Sequence, residues 1–146
     1  MAAVKSGPTP DAMAESESMI KMVASVMVGG ALGTLGRYVL MGFLGQWIGG
    51  ALLPAATLAV NVLGCFAMGA LVEILALAWS PSPELRAFLV VGILGGFTTF
   101  SAFSLDVFYL VGRGMVLGAG AYIAASVILS LAAFFVGQSL FRAMLT

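Results

Sequence analysis

A run of small and hydroxyl-bearing residues, GGFTTFSAFS at Gly95–Ser104, interrupts a long apolar segment of the chain. Two adjacent glycines followed by two threonines disfavour a continuous helix that faces lipid. Non-helical backbone at membrane depth persists only where protein buries it or a water-filled cavity solvates it. The run therefore predicts a helix break where an ion can sit beside the freed carbonyl oxygens, with the phenyl rings of Phe100 and Phe103 close by.

Polar side chains within two other apolar segments are further candidates for an ion site, because a bilayer makes such residues costly. Asn61 lies near the middle of one segment, where its amide can donate to an anion or hydrogen-bond a neighbouring helix. Tyr122, Ser126 and Ser130 recur every four residues, so they share one helical face as three hydroxyl donors. Alternatively, each serine bonds its own preceding turn and Tyr122 belongs to an interfacial aromatic belt.

Charged residues lie toward the ends of the apolar segments rather than at their centres. Arg37 can snorkel to the lipid headgroups, or it can line an entrance that attracts anions. Glu73 and Asp106 are also near segment ends, where each can simply be solvated. Since no carboxylate occupies the centre of a segment, the sequence argues against a proton relay through carboxylates.

The composition is that of a membrane protein. Of the 146 residues, 62% are hydrophobic and 8% are charged, and the mean hydropathy is +1.15. A formal net charge of zero offers no large basic face for nucleic acid. The single cysteine, Cys65, excludes an internal disulfide, and the lack of histidine argues against a zinc or haem site.

Four apolar segments each exceed the about 20 residues that cross a bilayer, and they run from about 19–44, 51–78, 85–111 and 115–141. Short links at 45–50, 80–83 and 112–114 separate them, so consecutive segments are predicted to be antiparallel neighbours. We therefore expect an all-α membrane protein with four transmembrane helices, the third of them broken. Residues 1–18 are predicted to be a flexible tail and residues 19–146 the transmembrane domain.

The distribution of lysine and arginine bears on the orientation in the membrane. One face carries Lys5, Lys21, Arg86 and Arg142, and the other face carries Arg37 and Arg113. Lys5 lies far from the first segment, so the count is about three against two, a weak bias by the positive-inside rule. Either Lys21 and Arg142 still fix one topology, or the chain inserts both ways round and two inverted copies pair in the membrane plane.

Glycine pairs at GxxxG spacing predict where helices approach closely in lipid. Three pairs have this spacing: Gly29 with Gly33, Gly92 with Gly96, and Gly114 with Gly118. The pattern favours tight helix packing and carries no information about a substrate.

Four motifs together resemble the signatures of the Fluc, or CrcB, fluoride channel family. They are GGALGTLGRY at 29–38, TLAVNVLGCF at 57–66, GGFTTFSAFS at 95–104, and Arg113-Gly114 followed by Tyr122 and Ser126. Their order and spacing agree with the family from about Met22 to Arg142, and the third motif is the most specific. Asp106 stands where the family is expected to have a glutamate, and the N-terminal tail is longer than expected.

The resemblance implies a dual-topology antiparallel homodimer in the cell inner membrane that exports fluoride passively through two interfacial pathways. It implies a central structural Na+ ion held by the backbone carbonyls of Gly95 and Thr98. The implied fluoride pathway passes Asn61, Phe100, Phe103, Tyr122, Ser126 and Ser130, with Arg37 at an entrance. Amide and hydroxyl donors and the positive edges of phenyl rings suit a small, strongly hydrated anion, whereas carboxylates would repel it.

Two other functions remain open, and neither is an enzyme. A small ion- or proton-coupled transporter can share the four-segment architecture, but that class needs a carboxylate in the first segment, and none lies between Lys21 and Trp47. A structural or assembly factor has no evident use for a central polar break aligned with Asn61 and a stripe of hydroxyls.

Overall fold

The computed structural model describes residues 9–48 and 53–146, which form helices and no strands. The helices are α1 at Pro10–Ile48, α2 at Leu53–Leu77, α3 at Pro83–Phe97, α4 at Phe100–Gly112 and α5 at Val116–Leu145. Within α3, a π-helical stretch at Phe88–Leu94 separates α-helical turns at Pro83–Ala87 and Gly95–Phe97. The all-α fold class is confirmed.

Four helical stretches are long and apolar enough to cross a membrane, as the sequence predicted. They are Met13–Gln46, Pro54–Leu77, Pro83–Gly112 and Val116–Leu145. The third of these comprises α3 and α4 and is interrupted between Phe97 and Phe100. The predicted break in the third transmembrane helix is therefore present at the predicted position.

The first helix is longer at both ends than the predicted segment. It begins at Pro10, where a proline in the first turn leaves no N–H unpaired and Asp11 lies favourably at the positive end of the helix dipole. Residues 10–18 of the predicted tail are thus part of α1, and residues 1–8 lie outside the described residues. Of the predicted first link, 45–48 are helical, and Gly49 and Gly50 lie outside the described residues.

The other two links form where the turn signals predicted them. The Ser82 hydroxyl caps α3 by accepting a 3.3 Å hydrogen bond from the Leu85 N–H, and Pro83 follows in the first helical turn. Gly114 adopts a φ of 76° between α4 and α5, a conformation that favours glycine. Gly114 has no neighbour that an added Cβ would meet, so the predicted helix contact at Gly114 and Gly118 is wrong: Gly114 makes a turn, and Gly118 faces only Met115.

The other two GxxxG pairs bring α1 and α3 into backbone contact, which confirms the predicted packing. A Cβ on Gly29 would lie 3.0 Å from the Gly92 Cα, and one on Gly96 would lie 2.8 Å from the Gly30 carbonyl oxygen. A Cβ on Gly33 would overlap the Ile93 carbonyl group. Only glycine therefore permits this close approach, which fixes α3 and the break that follows it against α1.

Helices α2 and α5 run parallel and pack closely along most of α2. Their backbones meet at Gly69, where a Cβ would overlap the Phe134 carbonyl oxygen, and at Gly137, where it would overlap that of Phe66. The residues of α2 that are buried completely or nearly so are Ala56, Thr57, Val60 and Glu73. The helix pair of α2 and α5 supports the break.

Glu73 joins the same two helices near their carboxyl ends. Its carboxylate accepts hydrogen bonds from the Arg142 guanidinium, at 2.6 Å from Nε and 3.3 Å from Nη2. Glu73 is 2% exposed. The expectation that Glu73 could be merely solvated is wrong, because a carboxylate buried against α5 requires its cationic partner.

Candidate ion pathway at the helix break

Two residues in extended conformation, Thr98 and Thr99, form the break. The last turn of α3 ends where both the N–H and the hydroxyl of Thr98 donate to the Leu94 carbonyl oxygen, at 3.1 and 3.0 Å. The Thr99 hydroxyl begins α4 by accepting a 3.1 Å hydrogen bond from the Ala102 N–H. Each threonine thus satisfies a helix end with its own side chain, which explains why two hydroxyl residues stand at this point.

Asn61 on α2 hydrogen-bonds both backbone groups of Thr99. The Thr99 N–H donates to Asn61 Oδ1 at 2.8 Å, and Asn61 Nδ2 donates to the Thr99 carbonyl oxygen at 3.0 Å. The amide therefore replaces the helical partners that Thr99 lost at the break. Of the two interpretations drawn from the sequence, the interhelical hydrogen bond is present, and the second Nδ2 hydrogen donates to no other described residue.

The same exchange frees carbonyl oxygens at the end of α3. Because the Thr99 N–H bonds Asn61, it is not donated to the carbonyl of Gly95, four residues earlier. Within the described ranges, the Gly95 and Thr98 carbonyls accept no hydrogen bond from another element, whereas the Gly96 carbonyl accepts one of 3.4 Å from the Thr34 hydroxyl. These two oxygens fit the chemistry of a hard cation site built from backbone groups.

Side chains offer no competing metal site. No group of three or more histidine, cysteine, aspartate or glutamate residues comes together in residues 9–48 and 53–146. A cation held at the break would therefore take backbone oxygens.

A groove of about 340 Å³ opens beside the break, between α2, α4 and α5. It brings together most of the residues that the sequence singled out, and its polar and aromatic lining consists of Asn61, Cys65, Thr98, Thr99, Phe100, Phe103, Ser126 and Ser130. Gly95, Arg37 and Tyr122 do not line it. Arg37 is half-buried on α1 and makes no ion pair with any described residue.

Three aromatic rings follow one another in space: those of Phe100 and Phe103 line this groove, and that of Tyr122 lies next to Phe103 outside the lining. The ring centroids of Phe100 and Phe103 lie 5.3 Å apart, and those of Phe103 and Tyr122 lie 5.4 Å apart. Phe100 is 79% exposed, whereas Tyr122 is buried. The rings therefore run from the outer surface of the protomer into its interior.

The hydroxyls of α5 differ from one another in their surroundings. Tyr122 donates a 3.1 Å hydrogen bond to Asp106 Oδ2, so it is held inside the protomer rather than in an outer aromatic belt. The Ser126 hydroxyl is buried and has no hydrogen-bond partner among the described residues, which contradicts the interpretation that it bonds its own preceding turn. Asp106 is half-buried, and its carboxylate partner is the Tyr122 hydroxyl rather than water alone.

Sequence reasoning did not assign Cys65, Thr99 or Thr34 to the site. Cys65 follows Asn61 by one helical turn, so helical spacing alone predicts that the two share a face. Thr99 directly precedes α4, and a threonine at that position is a typical helix N-cap. The Thr34 contact with the break depends on how α1 crosses α3, and no local pattern indicates that.

Comparison with known proteins relates this chain to a family of membrane proteins. The family model for CrcB-like protein, Camphor Resistance (CrcB), matches residues 24–138. A fluoride-specific ion channel FluC of Rhodospirillum centenum is 54% identical over 123 residues, which cover 84% of this chain and 97% of that relative. The FluC of a Rhizobium etli strain is 51% identical over 122 residues, covering 82% and 94%.

The four apolar helices and the named relatives define a multi-pass membrane protein of an ion-channel class, and not an enzyme. The chain belongs to the CrcB family, since the family model and the relatives cover most of its length. The resemblance drawn from the four motifs is confirmed.

Replacement of Asn61 by alanine should destabilise the folded protein, because both backbone groups of Thr99 would lose their partner. Each buried polar group left unsatisfied costs about 1–3 kcal/mol, so we expect a clear fall in the midpoint of thermal unfolding in detergent. Thr34→Val, which removes one hydrogen bond of 3.4 Å from an exposed residue, is the matched control and should change the midpoint much less. Equal midpoints for Asn61→Ala and the wild type would show that Asn61 does not support the break.

Proposed function

We propose that the protein is a fluoride-selective channel that exports fluoride from the cytoplasm by passive conduction. The observation that carries this proposal is the groove at the break, which is lined by amide, hydroxyl and phenyl groups and by no carboxylate. Two relatives that cover most of this chain are named fluoride-specific ion channels. A small anion loses its hydration only where donors replace the water, and this groove offers such donors along its length.

The phenyl rings assist an anion without binding it tightly. An aromatic edge carries partial positive charge, and the rings of Phe100, Phe103 and Tyr122 lie 5.3 and 5.4 Å apart in series. Asn61 contributes the Nδ2 hydrogen that the Thr99 carbonyl does not use. Ser126 and Ser130 supply hydroxyl donors on the facing helix. Several weak sites in a row favour release of the ion as well as entry.

The working unit in this proposal is an antiparallel homodimer with the pathways at its interface. Phe100 is 79% exposed beside the break, so one wall of the groove belongs to the outer surface of a single protomer. Irregular backbone at membrane depth must be covered by protein or water. An inverted second copy covers the break, and the near balance of lysine and arginine between the two faces permits both orientations.

A structural Na+ ion at the centre of the dimer is the remaining part of the proposal. The Gly95 and Thr98 carbonyls would hold it, and hard oxygen ligands without a carboxylate suit a monovalent ion. When bound, the ion supplies a positive charge near the pathway that offsets part of the cost of anion dehydration. An added Cβ on Gly95 would lie 3.6 Å from the Val90 carbonyl oxygen, an ordinary contact. We therefore expect a bulky residue at Gly95 to distort the break and lose the ion, and alanine to be tolerated.

Purified protein in liposomes should release fluoride and retain chloride. Phe100→Ile and Phe103→Ile keep apolar bulk but remove the positive ring edge, so each should lower the fluoride efflux rate at least about tenfold, the effect of about 1.4 kcal/mol on a barrier. Efflux is measured with a fluoride electrode after an ionophore dissipates the membrane potential.

Phe108→Ile is the matched control for these variants, because Phe108 is an exposed phenylalanine on α4 outside the groove. It should conduct as the wild type does. Chloride efflux equal to fluoride efflux would refute a fluoride-selective channel. If both Phe100→Ile and Phe103→Ile release fluoride at the wild-type rate, the rings serve only in packing.

Dual topology predicts that one cysteine reacts from both sides of the membrane. On a Cys65→Ser background, Ser80→Cys marks the link before α3 and Gly112→Cys marks the end of α4, on the opposite face. In intact spheroplasts, an impermeant maleimide should label about half of each variant, since half of the copies are inverted. Full labelling of one site and none of the other would establish a single orientation.

A structural ion predicts fluoride flux that does not depend on a Na+ gradient. Liposomes with Na+ inside only, outside only or on both sides should release fluoride at equal rates, provided that some Na+ is present. Complete replacement of Na+ by a large organic cation should impair activity or folding. Flux that follows the imposed Na+ gradient would favour the coupled transporter instead.

A further inference from the structure

Polar residues recur at the same four-residue spacing on α2 and on α5. On α2, Thr57, Asn61 and Cys65 are spaced by four residues, as Tyr122, Ser126 and Ser130 are on α5. Because the two helices run parallel, Thr57 lies near Tyr122, and Cys65 lies near Ser130. The middle pair, Asn61 and Ser126, is arranged differently. Asn61 hydrogen-bonds Thr99 at the break rather than Ser126, its counterpart on α5.

The Ser126 hydroxyl faces the groove without a hydrogen-bond partner from the described residues. Its side chain lines the groove, the residue is 7% exposed, and its hydroxyl has no hydrogen-bond partner in the part of the chain that the structure describes. A buried hydroxyl without a partner is costly, so such groups are rare in folded proteins. A ligand or water that passes along the groove would supply the missing partner.

Cys65 lies in the same groove, one turn beyond Asn61, with a free and half-buried thiol. A cysteine at this position could be no more than a small apolar residue that packs between helices. Cys65 and Ser130 both line the groove, and this favours a second role for Cys65. A thiol is a weak donor, and beside a hydroxyl it can hold one more position along a path of weak donors.

We propose that Cys65 is a residue of the anion pathway, where its S–H and the Ser130 hydroxyl together donate to the passing ion, and that covalent modification of Cys65 closes the pathway. This inference rests on the proposed fluoride channel function. It extends that function by adding a second residue of α2, one turn after Asn61, to the wall of the path.

Methyl methanethiosulfonate is a suitable probe of this site because it is small and uncharged. The Cys65 thiolate attacks the sulfenyl sulfur of the reagent, a disulfide to a methylthio group forms, and methanesulfinate leaves while the thiol proton passes to water. Thiolates form in water rather than in lipid, so a thiol that faces a hydrated pathway reacts faster than one that faces acyl chains. The added methylthio group would occupy the groove beside Asn61.

Fluoride efflux from liposomes is measured before and after treatment, and mass spectrometry measures the modification. We expect the reagent to abolish most of the wild-type efflux and to have no effect on Cys65→Ser. Without reagent, Cys65→Ser should conduct faster than Cys65→Ala by about fivefold, the effect of one hydrogen bond donor. The purely apolar role predicts equal efflux from the two variants, since alanine would then serve as well as serine.

Leu63→Cys on the Cys65→Ser background is the matched control, because Leu63 is half-exposed on the same helix and outside the groove. Its efflux should not change on treatment. An unreactive Cys65, or a fully modified Cys65 with undiminished efflux, would overturn the inference while leaving the channel function intact. Absence of fluoride efflux from the untreated wild type would instead overturn the proposed function, and this inference with it.

Discussion

The pair of hydrogen bonds between Asn61 and Thr99 is the interaction on which the remaining architecture depends. A helix that stops in the middle of a membrane exposes backbone groups that no lipid can satisfy. Asn61 presents an amide in the orientation of a peptide group, so it bonds the N–H and the carbonyl of Thr99 at 2.8 and 3.0 Å. This exchange satisfies the backbone of Thr99 at the break and, by removing the Thr99 N–H from α3, leaves the Gly95 carbonyl without that helical donor.

Asn61 can do this only because α2 is held rigidly. The parallel packing of α2 and α5 uses glycine on each helix, Gly69 and Gly137, so that the two backbones touch. An ion pair between the buried Glu73 and the exposed Arg142 joins the same two helices near their carboxyl ends. These contacts hold the carboxyl-terminal halves of α2 and α5 together, and the Asn61 amide lies earlier on α2, within hydrogen-bonding distance of the break.

Features that depend on local chemistry were predictable from the sequence, and features that depend on neighbours were not. Glycine and threonine disfavour a lipid-facing helix wherever they cluster, so the break at Thr98 and Thr99 was found at its correct place. The partner of Asn61 was not, because an amide bonds an anion or a backbone equally well until the fold is known. Glu73 and Arg142 are 69 residues apart and form an ion pair that no spacing rule indicates.

The GxxxG motifs illustrate the same limit. The spacing is identical in all three pairs, yet Gly92 and Gly96 meet α1, whereas Gly114 forms a turn with nothing nearby. The motif states only that close approach is sterically permitted, and the chain topology decides whether a helix is there to approach. The π-helical stretch of α3 contains Gly92, and Gly96 follows it, so both contacts of α3 with α1 lie in or just after this stretch.

In the proposed channel, the placement of charge favours a mobile anion in the groove over a tightly bound one. The buried carboxylate of Glu73 is neutralised by Arg142, and the half-buried Asp106 accepts a hydrogen bond from Tyr122. Neither residue lines the groove, whose polar groups are all formally neutral. A fixed cation there would hold an anion strongly and a fixed anion would exclude it, because charges interact strongly where water is scarce. Neutral donors and ring edges avoid both outcomes, so the amide, the hydroxyls and the phenyl rings supply attraction weak enough for an ion to leave as readily as it enters.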